Sequence, residues 1–201
     1  SYVAITLAAD DMSTKADDGQ YEVGTDAERA VVSAYVFFFK DGAAFPVQYA
    51  DATTSNNGRV NYLPVTLTGT TPDMPNVSDV KDAVLVIENY KGEYPNEIVA
   101  VLNWDPTEKA SYTLSELKTK ISHLGNDSQG YVMSNAVFAN ANSDVVEAVE
   151  LKLNNIGKTE AEALANPITI HVERIAAKVV FTAKNSGKFP IEKEVDSSPL
   201  Y

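Results

Sequence analysis

The two histidines of this 201-residue sequence are its best candidates for acid–base chemistry or metal binding, and they lie far apart. His123 stands near the end of a predicted helix, where the helix dipole favours a cation. His171 lies on the face of a predicted strand opposite its apolar residues. Neither belongs to an i, i+4 pair of the kind that binds a metal from one helix face. The pattern therefore predicts no metal site and no catalytic site at either histidine.

Adjacent aspartates at Asp10 and Asp11, and again at Asp17 and Asp18, are candidate cation ligands. They lack the Asp-x-Asp-x-Asp-Gly spacing that wraps a calcium ion, so solvated loop charges are the simpler interpretation. The paired acids of a glycosidase meet only in the fold, and no particular pair stands out. The sequence contains neither a Gly-x-Ser-x-Gly elbow nor a phosphate-binding loop. We expect a protein that is not an enzyme and uses no metal or cofactor.

Trp104 and the ten tyrosines form a candidate platform for stacking on sugar rings. Trp104 also ends an alternating apolar run, which favours a packing role. The first interpretation leads to a surface module that binds a host glycan or protein without polymerising. The second leaves the aromatic residues in the core.

Charge and composition exclude several classes of protein. Sixteen basic against 28 acidic residues give a net charge of −12, which disfavours nucleic acid and anionic membrane surfaces as partners. There is no cysteine, so disulfides, thiolate zinc sites and a cysteine nucleophile are absent. We find no signal-peptide pattern and no apolar run approaching the roughly 18 residues of a spanning helix.

The opening residues, 1–9, alternate as a β-strand should, with Val3, Ile5, Leu7 and Ala9 on one face. Such a strand is about 30 Å long, enough to cross a domain. Burial of its three large aliphatic side chains contributes on the order of 5 kcal/mol. The simplest interpretation is an ordinary first strand. The alternative is a removable part, because of the segment that follows it.

Residues 10–26 are rich in Asp, Gly, Thr and Ser and nearly free of aliphatic side chains, which predicts a surface loop open to proteolysis. Lys15 is the single basic residue in this stretch. Arg29 is a second basic residue, but it abuts the next strand. A cut in this loop would detach the first strand from the chain that follows.

The rest of the chain predicts more strands and two short helices. Residues 30–40 are apolar on both faces, as in a central strand covered on both sides. Residues 83–87 and 98–104 are candidate partners in an antiparallel hairpin. Capping boxes at Thr113 and Thr159 open the two helices. Further strands are predicted near 45–49, 60–68, 145–153 and 168–172, with a one-residue change of phase near 173–174 that a β-bulge or a bend between strands produces. The spacing of Val172, Ile175, Ala176 and Val179 also fits a helical turn, and we prefer the bulged strand.

Several segments then match a known family in order along the chain, the most specific being Val172–Arg174 followed by Ala177–Val179. The others are Tyr2–Leu7, Ser13–Ala16, Val31–Phe39 with Lys40–Gly42, Val99–Asn103, Met133–Asn135 and Ile170–Val179. Through them the chain resembles the N-terminal domain of the Bacteroidales major fimbrial subunits, the fimbrillin-like or type V pilins. The resemblance implies an all-β fold with two short helices, namely a transthyretin-like Greek-key β-sandwich. It also implies a lipoprotein precursor, exported to the outer membrane and incorporated into an extracellular fimbrium for adhesion.

The resemblance gives the first strand a role. In that family a trypsin-like or Arg-specific surface protease removes the first strand, and a donor strand from another pilin subunit fills the groove. The scissile bond maps to Lys15–Ala16, with Arg29 as the alternative, and Lys in place of the usual Arg argues against a strictly Arg-specific protease. Val3, Ile5 and Leu7 would plug the groove until the cut. The partners implied are identical subunits, the protease and a host glycan or protein, with no nucleic acid.

The same resemblance suggests a domain organisation. Residues 1–185 correspond to the N-terminal pilin domain, with 1–9 as the removable strand and 10–29 as the processing loop. Residues 186–201 correspond to a linker or the start of a C-terminal domain that would carry the donor strand. We therefore expect this chain alone to present a groove but not to polymerise.

Overall fold

Strands dominate the computed structural model, which describes residues 1–9, 31–49, 59–66, 83–88, 91–122, 126–127, 130–135 and 148–174. The strands are β1 (Tyr2–Ala9), β2 (Ala34–Lys40), β3 (Ala43–Ala44), β4 (Gln48–Tyr49), β5 (Arg59–Val60), β6 (Tyr62–Pro64), β7 (Ala83–Val86), β8 (Glu97–Leu102), β9 (Asn126–Asp127), β10 (Gly130–Tyr131), β11 (Met133–Asn135), β12 (Val149–Glu150), β13 (Ile156–Gly157) and β14 (Ile168–Arg174). The helices are α1 (Leu114–Ser122) and α2 (Glu160–Leu164), with a 3-10 turn at Leu153–Asn155. The prediction of a mostly β fold with two short helices is confirmed.

One curled sheet contains ten of these strands, in the order β13-β1-β14-β11-β8-β2-β3. Off this path, β7 pairs with β1, β12 with β8, and β6 with β2. Strands β1 and β14 form the only parallel pair among the described strands, and every other pair is antiparallel. Strands β4 and β5, and likewise β9 and β10, form separate two-stranded ladders.

Strands β2 and β8 are buried on both faces, as the unbroken apolar run predicted. Phe38 and Ile98 belong to the larger core, together with Val3 and Ile5 of β1. Phe37 and Val99 belong to a second core on the opposite face, which Leu117 and other residues of α1 help to cover. A strand between two apolar layers has no polar face, which explains the lack of alternation in this part of the sequence.

The curl brings the end of β7 to the β4–β5 ladder. The backbone N–H of Glu88 donates to the carbonyl oxygen of Val47 at 2.8 Å. The Glu88 carboxylate also accepts a hydrogen bond from Arg59 Nη2 at 2.8 Å. Strand β7 is therefore anchored at its end as well as paired with β1 along its length.

A tight turn joins β2 to β3, where the sequence predicted one. Asp41 and Gly42 both have positive φ, at 51° and 75°, as a two-residue hairpin with the right twist requires. The Gly42 N–H donates to Glu97 Oε2 at 2.7 Å, which ties this turn to the start of β8.

Both helices begin at the predicted capping boxes. The Thr113 hydroxyl accepts from the Glu116 N–H at 3.2 Å, and the Thr113 N–H donates to the Glu116 carboxylate at 2.8 Å. Thr159 and Glu162 repeat this exchange at the start of α2. Helix α2 ends before Pro167, as expected from the backbone restriction that proline imposes on the residue before it.

The predicted hairpin between residues 83–87 and 98–104 is wrong. Strand β7 pairs with β1, whereas β8 pairs with β2 on one edge and with β11 and β12 on the other. A strand buried on both faces lies inside the sheet and needs a partner on each edge. Strand β8 pairs with β2, which is also buried on both faces, and not with β7, which precedes it in the sequence.

The later strands agree with the sequence only in part. Of the strand predicted at 145–153, Val149–Glu150 forms β12, whereas Leu153 begins the 3-10 turn and 145–147 lie outside the described residues. Strand β14 buries Ile168, Ile170 and Val172, as its alternation predicted. Strand β14 pairs with β11 in regular register through Arg174, and the predicted change of phase depends on residues from 175 onward, which lie outside the described residues.

Candidate functional site

Strand β1 has hydrogen-bonded neighbours along both edges. On one edge, Tyr2 to Ile5 pair antiparallel with β7. On the other edge, Tyr2 and Val3 pair with β13, and from Ile5 to Ala9 the strand pairs in parallel with β14. We call the space that β1 fills the β1 slot, bounded by β7 on one side and by β13 and β14 on the other. Removal of β1 would break the described pairing that links β7 to β14.

The inner face of β1 contributes to the larger core. Val3 and Ile5 are 0% exposed and Leu7 is 3% exposed. They pack in the same cluster as Leu85 from β7 and Ile170 from β14. Three buried aliphatic side chains contribute on the order of 5 kcal/mol, at about 1.5–3 kcal/mol each. This strand therefore contributes a large share of the stability of a typical domain.

The outer face of β1 is covered unevenly. Ala4 is 0% exposed, whereas Tyr2, Thr6 and Ala8 on the same face are only partly buried. Helix α2 is the described element that lies against β1, β13 and β7 together. Its one buried residue is Ala163. The full burial of Ala4 therefore falls on the part of β1 that lies near α2.

Gly157 shows how closely α2 approaches the sheet. A Cβ atom at this position would lie 2.6 Å from the Ala163 nitrogen and 2.6 Å from the Thr159 carbonyl oxygen. Both are backbone atoms, so no side-chain rotation could relieve the contact. Gly157 pairs directly with Tyr2 in the register of β1 and β13. Helix α2 is therefore seated on the sheet at backbone distance, beside the first residues of β1.

Strands β1 and β2 are consecutive in the described chain but are not neighbours in the sheet. Strands β14, β11 and β8 lie between them in the sheet order. Four inter-strand spacings of about 4.8 Å give roughly 19 Å along the sheet. The predicted processing residues Lys15, Ala16 and Arg29 belong to this connection and lie outside the described residues.

The residues singled out for acid–base or metal chemistry do not converge. His171 is exposed on β14, on the face opposite the core, as the strand pattern predicted. His123 and the four aspartates at positions 10, 11, 17 and 18 lie outside the described residues. Within the described part of the chain, no three His, Asp or Glu side chains are grouped closely enough to hold a metal ion. In the same part of the chain, no helix has the length and apolar character to span a membrane.

Trp104 is a core residue, as its place at the end of an apolar run predicted. It is 4% exposed, stacked on Phe37 at 6.1 Å between ring centroids and 12° between planes. Tyr112 meets it edge-on at 5.6 Å. Burial raises the pKa of Tyr112, and the nearby Glu108 carboxylate raises it further. Trp104 is therefore too buried to stack on a sugar ring, and of the residues that motivated the glycan-binding alternative only the tyrosines remain.

An open groove of about 420 Å³ lies beside α1. It is lined by Lys109, Tyr112, Ser115, Glu116, Thr119 and Lys120. Lys109 is 2.6 Å from Glu116, and Lys120 is 2.7 Å from Glu108, so each lysine already has a carboxylate partner. The hydrogen bonds from Lys109 and from Thr113 lower the pKa of Glu116 to about 2. This balanced arrangement stabilises the start of α1 and offers little attraction for a charged ligand.

Two comparisons with known proteins give no relative. No model of a protein family matches the chain, and no curated protein is similar to it. A functional site is then supported by the geometry of the β1 slot: two paired edges, a buried inner face and a helix near part of the outer face.

The sequence did not identify all the residues that build this site. The approach of α2 to β1 was not predicted, nor was the anchoring of β7 by Glu88. The available signal for the first was the small size of Gly157, since small residues in strands often mark a close approach, whereas Ala4 is not distinguished from Ala8 and Ala9 of the same strand. No local pattern marks Glu88, whose partner Arg59 lies 29 positions away.

Proposed function

We propose that this chain is a structural subunit of a cell-surface fimbria, assembled by proteolysis and donor-strand exchange and supporting adhesion. In this proposal β1 is a temporary strand. A surface protease of trypsin-like specificity cuts after Lys15, β1 leaves, and a strand of another subunit enters the β1 slot.

The observation that carries the proposal is the position of β1 in the sheet. It is an interior strand, paired on both edges, with Val3, Ile5 and Leu7 buried. Yet the chain joins it to the strands that follow only through the connection that contains Lys15 and Arg29. One cut there leaves β1 held by non-covalent contacts alone. An interior strand held in this way leaves a complete binding site when it departs.

The walls of the β1 slot have supports of their own. Strand β14 is paired with β11 on its far edge. Strand β7 is followed by Glu88, which bonds to Val47 and Arg59. Gly157 of β13 is fixed beneath α2. These contacts do not involve β1, which favours a slot that keeps its shape long enough to be refilled.

An incoming strand would form again the hydrogen bonds and core contacts that are lost when β1 departs. Main-chain hydrogen bonds to both edges supply affinity, and alternate side chains entering the core supply selectivity, as in other cases of strand addition. The parallel edge at β14 and the antiparallel edge at β7 together set the direction of a strand that repeats the pairing of β1.

The finer features of the proposal follow from the family resemblance. They are a transthyretin-like Greek-key β-sandwich, a lipoprotein precursor, export to the outer membrane and a homopolymeric fimbrium. The curl that brings the end of β7 against the β4–β5 ladder supports a two-layered β-fold. The negative charge agrees with a partner other than nucleic acid.

Mild trypsin digestion tests the proposal. We expect one early cut after Lys15, with the nicked protein keeping its circular dichroism and the two pieces co-migrating on gel filtration. A fluorescent peptide with the sequence of residues 1–15 should then replace the cleaved strand. The uncut protein should not take up the peptide, because its own β1 stays covalently attached.

Two variants sharpen this test. Lys15→Gln should abolish both the early cut and the uptake of peptide, whereas Arg29→Gln should leave both unchanged. Early cuts scattered through the described strands would refute the proposal. So would a correctly nicked protein that never exchanges its strand.

A further inference from the structure

Ala4 marks the position of the β1 slot where space is most restricted. It is fully buried on the face of β1 that points away from the core. The next residues on that face, Thr6 and Ala8, are partly exposed. The restriction is therefore local to one position and is not a property of the whole face.

The register of the sheet explains why the restriction falls at Ala4. Along one edge Ala4 pairs with Val84 of β7. Along the other edge Val3 is the last residue to pair with β13 and Ile5 the first to pair with β14. The chain leaves the sheet between these two strands, forms α2 and returns. Ala4 is thus level with the junction between β13 and β14, from which the segment containing α2 leaves the sheet.

Helix α2 has little freedom to move away from this position. The capping exchange between Thr159 and Glu162 fixes its start, and its Ala163 is fully buried. The close approach of Gly157 to the α2 backbone leaves no gap between helix and sheet. Because Ala4 is fully buried, a larger side chain at this position would have to displace the atoms packed against it, and such overpacking is costly.

We propose that any strand entering the β1 slot must carry a small residue, Gly, Ala or Ser, at the position of Ala4, between aliphatic residues at the positions of Val3 and Ile5. This inference rests on the proposed function and specifies its partner: an extended segment of another subunit with the pattern aliphatic, small, aliphatic, any residue, aliphatic. Helix α2 is then the element that selects the incoming strand and sets its register. A strand shifted by two residues would keep the alternation but place a different side chain beneath the helix.

Competition between synthetic peptides on the full chain, nicked after Lys15, tests the inference. The probes are a peptide with the sequence of residues 1–15, the same peptide with Ala4→Leu, and a matched control with Ala8→Leu. We expect the Ala4→Leu peptide to compete at least about tenfold more weakly than the parent, because added methylenes overpack a filled site. The Ala8→Leu peptide should compete within about threefold of the parent, since that position is partly open.

The same substitutions in the uncut full chain provide a second measurement that needs no cleavage. Ala4→Leu should lower the thermal unfolding midpoint by at least about 5 °C, and Ala8→Leu should change it by less than about 2 °C. If the Ala4→Leu chain does not fold, Ala4→Ser should fold with a midpoint near that of the parent, which also supports the size limit.

The outcomes separate the inference from the proposed function. If the parent and Ala4→Leu peptides compete equally, strand exchange stands and the size limit at Ala4 is refuted. If no peptide enters the nicked protein, the proposed function fails, and with it the inference about a partner strand. Equal effects of Ala4→Leu and Ala8→Leu in the uncut chain would also overturn the inference.

Discussion

Glu88 and Arg59 link the end of β7 to the β4–β5 ladder, with 2.8 Å between Glu88 Oε2 and Arg59 Nη2. The Arg59 side chain is 16% exposed, so the pair is screened less than a surface pair. The Glu88 N–H also donates to Val47, which adds a main-chain contact at the same place. These bonds join β7, one wall of the β1 slot, to the β4–β5 ladder, and no residue of β1 takes part in them.

Replacement of this acid tests the anchor. Glu88→Gln should lower the free energy of unfolding by about 0.5–1 kcal/mol, as expected for a partly shielded ion pair. Chemical denaturation measures the loss, and 1 M salt should reduce it. The matched control is Glu93→Gln, whose partner Lys40 is 2.9 Å away with both side chains more exposed. A loss at Glu93 as large as that at Glu88 would contradict the special role of the anchor.

The side chain of Asn135 forms two hydrogen bonds to the backbone of β8, in place of the backbone of a neighbouring strand. Its Oδ1 accepts from Ala100 N at 2.7 Å and its Nδ2 donates to the Ile98 carbonyl at 3.2 Å, all buried. Asn135→Ala should destabilise the protein by about 2–3 kcal/mol, because two buried backbone groups lose their partners. Denaturant titration measures this loss. The exposed Asn166→Ala should stay within about 0.5 kcal/mol of the parent, and a similar small effect at Asn135 would contradict the prediction.

Trp104 is the only tryptophan, so its fluorescence reports on one site. We expect an emission maximum shifted to the blue of the unfolded chain and slow quenching by acrylamide, because the ring is packed between Phe37, Tyr112 and neighbouring core residues. Trp104→Ala should cost about 3–5 kcal/mol in unfolding free energy. Rapid quenching in the folded protein would contradict the buried position.

Glu116 should make the stability of α1 depend on pH in a defined window. Its pKa is lowered to about 2 by the hydrogen bonds from Lys109 and Thr113, so the folded state favours the carboxylate. A lowered pKa gives a stabilisation that is fully present above the ordinary pKa near 4.5 and is lost as the pH falls toward 2. Thermal unfolding of the parent and of Glu116→Gln should therefore differ at pH 6 and converge near pH 2.

A titration followed by NMR checks the cause of this shift. In Lys109→Gln the pKa of Glu116 should rise toward its ordinary value, because the strongest hydrogen bond to the carboxylate is weakened. An unchanged pKa in that variant would assign the effect to Thr113 instead.

The sequence alone determined the features that depend on local periodicity and local hydrogen bonding. The alternation of Val3, Ile5 and Leu7 fixed which face of β1 is buried, since the side-chain period of a strand is two residues. Thr113 and Thr159 fixed where the helices begin, because a capping box satisfies backbone donors within three residues. The apolar run around Phe37 and Phe38 showed that β2 has no solvent face.

Only the tertiary structure decided which strands pair and what covers them. Strand β7 pairs with β1 instead of β8, and β1 runs parallel to β14, although their paired residues lie about 160 positions apart in the chain. The lengths and compositions of the strands do not encode these choices, because main-chain hydrogen bonds are the same for every partner. The packing of α2 near β1 also arises only when β13, α2 and β14 are assembled around β1.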